Sequence, residues 1–147
     1  IGLAVGDLVS GFASNWVRSR RKILALFIAL TAFFTGITTQ SRDFSPEYYY
    51  FLCVCLGFAT GYWAVFVTVA SEHFGTNLRA TVTTTVPNFV RGSVVLITSA
   101  FLMLKASMSL SQSAMLVGGV CLVFAILAVV SLPETYGKDL DYLEGLS

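Results

Sequence analysis

Residues Val117–Val130 read Val-Gly-Gly-Val-Cys-Leu-Val-Phe-Ala-Ile-Leu-Ala-Val-Val, an apolar run without a charged side chain. Leu24–Phe34, Leu-Ala-Leu-Phe-Ile-Ala-Leu-Thr-Ala-Phe-Phe, is of the same kind. Neither run alternates apolar with polar residues, as the strands of a membrane barrel do over about 10 positions. A helix satisfies its own backbone hydrogen bonds inside lipid, so both runs predict membrane-spanning α-helices.

A span needs about 20 mostly apolar residues. Working outward, four full spans are expected: Ile23 to Thr39, Tyr48 to Ala70, Ala80 to Leu104 and Ser113 to Leu132. The end of a fifth covers Ile1 to Ala13. The connectors Ser14–Lys22, Gln40–Glu47, Ser71–Arg79 and Lys105–Gln112 are short and polar. Pro133 stops the last span, and residues 133–147 form a polar tail. The fold class is therefore all-α and polytopic, with residues 1–132 in the bilayer. The chain begins at Ile1 inside an apolar run and lacks a secretory leader, so it is expected to be a piece of a longer protein.

Composition agrees. Apolar residues make up 56% of the 147 and charged residues 12%, against about 25% charge in ordinary soluble domains. Mean hydropathy is +0.79. A net charge of +1 offers nothing to nucleic acid. Cys53, Cys55 and Cys121 lie in apolar runs, and the Cys-x-Cys spacing lacks a histidine companion, so small buried hydrophobes are expected and no metal or cofactor. No nucleophile elbow, phosphate loop or zinc-protease motif occurs, and no enzyme activity is expected.

Lysine and arginine in short loops set orientation. Arg18, Arg20, Arg21, Lys22, Arg79 and Lys138 fall on one side, against Arg42 and Lys105 on the other. The first side, with the C-terminus, is expected to be cytoplasmic. Tyr48, Tyr49 and Tyr50 would then occupy the outer interface and Trp16 the inner one.

Inside the spans, Arg91 stands out. It lies about a dozen residues into the third full span, some ~15–18 Å from its start. A charge at that depth costs at least ~2.5 kcal/mol and is a functional candidate by default. Thr81, Thr84, Asn88, Arg91 and Thr98 form one polar stripe at 100° per residue, with Pro87 loosening the helix beside them. Either the stripe lines a solute cavity, where Arg91 holds an anionic group or balances a carboxylate, or the span starts near Thr83 and Arg91 snorkels to the surface. Trp63 lies well inside the second full span, and its indole N–H needs a partner there, in a cavity or against lipid and core. Asp7 is either a proton carrier, or an arginine's partner, or a cap on another helix's N-terminus. Gly2, Gly6 and Ser10, and Gly57 and Gly61, are small-residue ridges that let helices approach closely. Glu72, Arg79 and Glu134 flank the basic side with Arg20 and Arg21, as a charge network or as solvated surface charges.

Three stretches together resemble the major facilitator superfamily. Gly6-Asp7-Leu8-Val9-Ser10-Gly11 through Arg18-Ser19-Arg20-Arg21-Lys22 resembles the basic helix-loop-helix signature that lies between the family's second and third helices, and again between its eighth and ninth. Ala70-Ser71-Glu72-His73-Phe74-Gly75-Thr76-Asn77-Leu78-Arg79-Ala80 is similar to the loop between helices ten and eleven of sugar-porter-like members. Leu132-Pro133-Glu134-Thr135-Tyr136-Gly137-Lys138 looks like the motif after their helix twelve. The resemblance covers nearly the whole chain. It implies the end of helix eight through helix twelve of a twelve-helix, two-bundle transporter whose N-terminal half lies upstream. It also implies a gating charge network of Arg20 and Arg21 with Glu72 and Glu134, plus Arg79. Asn15 and Trp16 stand where the family's Asp is usual, Phe74 is followed by Gly75 rather than Pro, and the sugar porters' cavity Trp position is unmatched.

The resulting expectation is secondary active transport of a small polar solute by alternating access, in a bacterial inner membrane or a plasma membrane. Arg91, Asn88, Thr84 and Trp63 are the expected substrate residues, a carboxylate or phosphate-bearing metabolite the expected anion, and Asp7 the candidate for proton coupling. The rival expectation is a membrane-embedded ligand sensor or scaffold built on a transporter fold.

Overall fold

The computed structural model describes residues 1–40 and 45–137. Arg42, Lys138 and the rest of the tail lie outside the described residues. The architecture is all-helical: α1 (Gly2–Trp16), α2 (Arg20–Gln40), α3 (Pro46–Ala59), α4 (Trp63–Glu72), α5 (Thr76–Lys105) and α6 (Leu110–Ser131). Four stretches are long and apolar enough to cross a membrane: α2, α3 with α4 taken together, α5 and α6. The chain is thus a polytopic membrane protein.

Local chemistry sets the helix starts. Ser45 caps α3, accepting a hydrogen bond from the Tyr48 N–H, and Pro46 occupies the first turn, where its missing N–H costs nothing. Ser109 and Gln112 form a reciprocal capping box at the start of α6. Between α1 and α2 the chain turns through Arg18 in the left-handed region, at φ 52°.

The packing is that of a protein solvated by lipid. A small core joins Leu24 and Ile28 of α2, Val65 and Val69 of α4 and Val129 of α6. Many large apolar side chains point outward, among them Phe12, Phe89, Leu96 and Phe124. Without a hydrophobic drive between helices in lipid, close contact falls to small residues. The buried residues of α1 are Gly2, Gly6, Ser10 and Ser14, one every fourth position. Gly2 and Gly6 face Gly57 and Gly61, so the glycines of the two small-residue ridges read in the sequence pack against each other. A Cβ on Gly6 would sit 2.3 Å from the Phe58 carbonyl oxygen, and one on Gly61 2.5 Å from the Gly6 backbone.

Three expectations need correction. The second full span is not one helix but two, interrupted at Thr60-Gly61-Tyr62. The third begins at Thr76, four residues earlier than expected, so Arg91 falls at the midpoint of a 30-residue helix. The cysteines are not fully buried: Cys53 is exposed and Cys55 and Cys121 are half-buried.

Candidate functional site

The break in the second span leaves backbone groups that a continuous helix would pair. In such a helix the Ala64 N–H would bond to the Thr60 carbonyl four residues back. Here it donates instead to the Asp7 carboxylate of α1, at 3.2 Å. On the other side of the break, the Ala59 carbonyl accepts from the Thr31 hydroxyl of α2 at 3.0 Å. That hydroxyl is shared with the Phe27 carbonyl at 2.9 Å. Irregular backbone at membrane depth survives only where protein satisfies it. Asp7 and Thr31 supply that here, and of the readings open for Asp7 the helix cap is the one seen.

Trp63 opens α4 directly after the break. The Arg91 guanidinium lies over its ring, 6.0 Å from the centroid, near the outer limit for a cation–π contact. Arg91 also reaches the Asn88 side-chain oxygen at 3.4 Å, one turn away on α5. Three of the four expected substrate residues therefore come together. Thr84 lies on the same face about 10 Å along the axis, with its hydroxyl turned to the Ala80 and Thr81 carbonyls of its own helix. Arg91 remains exposed in this chain, as does the rest of that face. Sequence reasoning missed Tyr62, which is half-buried between the break and the core. Its one legible signal was adjacency to Trp63.

A second cluster lies at the end of the bundle where α1 and α4 stop and α2 starts. Arg20 and Glu72 form the one ion pair among the described residues, at 3.3 Å, with side chains 16% and 11% exposed. The same guanidinium donates to the Ser14 hydroxyl at 2.6 Å and the Asn15 side-chain oxygen at 2.9 Å, and it lies over the Tyr136 ring. The other Glu72 oxygen accepts from the buried Thr135 hydroxyl at 2.7 Å. Glu134 accepts from the Ser19 hydroxyl and from the backbone N–H groups of Arg20, Thr135 and Tyr136. The segment after α6 is thus clasped onto the α1–α2 turn.

This departs from the expected network in two ways. Glu134 meets the Arg20 backbone, not its guanidinium. Arg21 is exposed and makes no hydrogen bond or ion pair with the described residues, because consecutive residues on α2 point about 100° apart. Arg79 sits half-buried in the first turn of α5. Ser14, Ser19, Thr135 and Tyr136 carry much of the clasp but no charge, so nothing in the charge pattern pointed to them.

Partial desolvation pushes the Glu134 carboxyl up, but the four donors favour the carboxylate more strongly, and its pKa falls below the ordinary 4.5. A lowered folded-state pKa stabilises the clasp above the ordinary value, and the contribution fades as pH falls through the lowered one. Amide exchange at Thr135 and Tyr136, taken relative to the intrinsic rate at each pH, is therefore expected to stay flat from pH 8 to about 5 and to rise only in more acidic solution. Glu134→Gln is expected to exchange faster throughout. A rise near neutral pH would assign the clasp to another group.

Compared with known proteins, the chain matches no family model, no curated protein and no solved structure.

Proposed function

We propose that the chain is the C-terminal part of a secondary active transporter of the major facilitator type, moving a small organic anion by alternating access. The observation that carries this reading is Arg91. A cation at the midpoint of a membrane-length helix, seated against Trp63 beside a capped helix break, is the arrangement expected of a solute site. Discontinuous helices near the midplane are a recurrent feature of transporter binding sites. The clasp adds support. Arg20, Glu72 and Glu134 come one each from the three stretches that resemble the family, and they meet at a single end of the bundle. In this reading that end is cytoplasmic, the clasp holds one conformer and opens in the other, and the membrane is a bacterial inner membrane or a plasma membrane. Asp7 remains the candidate for proton coupling, since protonation would weaken its hold on the Ala64 N–H.

The test is uptake by the intact transporter in proteoliposomes under an imposed pH gradient, with Arg91→Gln alongside. Saturable uptake of an organic anion is expected, lost by a factor of roughly ten or more in the variant. The variant's melting temperature should be nearly unchanged, because Arg91 is exposed and, among the described residues, its polar partners are Asn88 and the Trp63 ring. Uptake of a neutral solute that survives the substitution would make Arg91 structural.

A further inference from the structure

Behind Trp63 lies an apolar cavity of about 410 Å³, among α2, α4, α5 and α6. This is within the range of small-molecule sites. Leu24, Ile28, Phe66 and Val129 supply its walls, and Arg91 lies outside the lining, reaching the cavity's edge through Trp63, over whose ring its guanidinium sits. Its polar groups are the Thr60 and Tyr62 hydroxyls and the Trp63 indole N–H, each able to donate. The Tyr62 hydroxyl and the Trp63 indole N–H make no hydrogen bond with the described residues, whereas the Thr60 hydroxyl is occupied by the Leu56 and Gly57 carbonyls. Neither group is fully buried, since Trp63 is 38% exposed and Tyr62 half-buried, so both can reach a bound molecule. No acidic side chain lines the cavity. Among the described residues, Arg91 is the one Lys or Arg that lies away from the helix ends.

We infer that the cavity receives the apolar body of an organic monoanion, an aryl or branched-alkyl carboxylate, whose carboxylate pairs with Arg91. This rests on the transport reading above and names the class of its cargo. The walls exclude the alternatives. A sugar would lay hydroxyls against Leu24, Ile28 and Val129, where they find no partner, and burying an unpaired hydroxyl is costly. A phosphate ester carries a second negative charge, for which the described residues offer no second cation at this depth. One guanidinium, two neutral donors and an apolar chamber match one carboxylate on an apolar frame.

The experiment is calorimetric titration of the intact transporter in phosphatidylcholine nanodiscs with four probes: phenylacetate, its neutral isostere phenylacetamide, glycerol 3-phosphate and glucose. Phenylacetate is expected to bind saturably and roughly tenfold or more tighter than phenylacetamide. Arg91→Gln should erase that difference while Arg91→Lys keeps part of it, and Tyr62→Phe should weaken phenylacetate a few-fold. No phenylacetate binding, equal binding of the amide, or tighter binding of glycerol 3-phosphate or glucose would overturn the assignment. Uptake measured in parallel separates the two readings. Arg91-dependent binding of phenylacetate without uptake keeps the ligand class and removes transport. Arg91-dependent uptake of glycerol 3-phosphate keeps transport and removes the ligand class.

Discussion

Gly61→Ala is expected to lower the stability of the protein by ~3 kcal/mol or more, and Gly61→Leu to prevent its assembly. The added Cβ would stand 2.5 Å from the Gly6 Cα and carbonyl carbon and 2.6 Å from the Asp7 nitrogen. All three are backbone atoms, so no rotamer change relieves the clash. Instead α1 must withdraw from the break. Withdrawal takes the Asp7 carboxylate off the Ala64 N–H and opens the contact between the ridges, so one methyl group removes both packing and cap. The other glycines grade the effect. A Cβ at Gly6 meets the Phe58 oxygen at 2.3 Å and should cost as much. At Gly57 the nearest atom is the Leu3 nitrogen at 3.2 Å, a contact that a small shift relieves. At Gly118 nothing lies within 4 Å, so alanine there should be neutral or slightly stabilising, as helix propensity dictates. Melting temperatures of the four alanine variants in one detergent should fall in that order. Equal melting of Gly61→Ala and Gly118→Ala would refute the close approach.

The two ridges were legible because small residues four apart share a helix face, but their mating was not. Nothing in the spacing of Gly2 and Gly6 says which neighbour they meet. The break after Ala59 was hidden for a related reason. The apolar run continues through Thr60, Gly61 and Tyr62 without a proline, and hydropathy reports only burial in lipid. What ends α3 is non-local: Gly6 presses on Gly61, and Asp7 competes for an N–H that Thr60 would otherwise accept. Arg91 and Asn88 were readable as neighbours because three residues make nearly one turn. Trp63 comes from another helix, so its place beside them depends on how α4 packs on α5, which no spacing within either helix encodes. Arg20 and Glu72 were legible as members of one charged face, and the family resemblance put both in a gating network. The hydroxyls of Ser19 and Thr135 finish the clasp, and they look like ordinary polar residues in sequence. Arg21 was expected alongside Arg20, yet a helix cannot aim adjacent residues at one partner.

Arg20→Gln is expected to destabilise the protein by about 2–3 kcal/mol. Removing one member of a fully buried ion pair costs about 3–5 kcal/mol, because the other charge stays behind unpaired. The lower figure allows for the solvent that still reaches Arg20 and Glu72, at 16% and 11% exposure. Glu72 would keep the Thr135 hydroxyl as a donor but lose its countercharge. Ser14 and Asn15 would lose their shared donor, and Tyr136 the guanidinium over its ring. The Arg20 N–H to Glu134 is backbone and survives the substitution, so the segment after α6 should loosen without detaching. Glu72→Gln should cost less, since an amide can still accept from Thr135 and the Arg20 guanidinium keeps its Ser14 and Asn15 acceptors. The double variant should then recover part of the sum, giving a coupling energy of about 1–2 kcal/mol by denaturant titration. Arg21→Gln is the control: its exposed side chain touches none of these groups, so its effect should stay within about ±0.5 kcal/mol. If Arg20→Gln and Arg21→Gln cost the same, the basic cluster acts as diffuse surface charge and the clasp has no specific anchor. If the costs differ as expected, one guanidinium ties the end of α4 to the α1–α2 turn, and any conformer that separates them must first give up that pair.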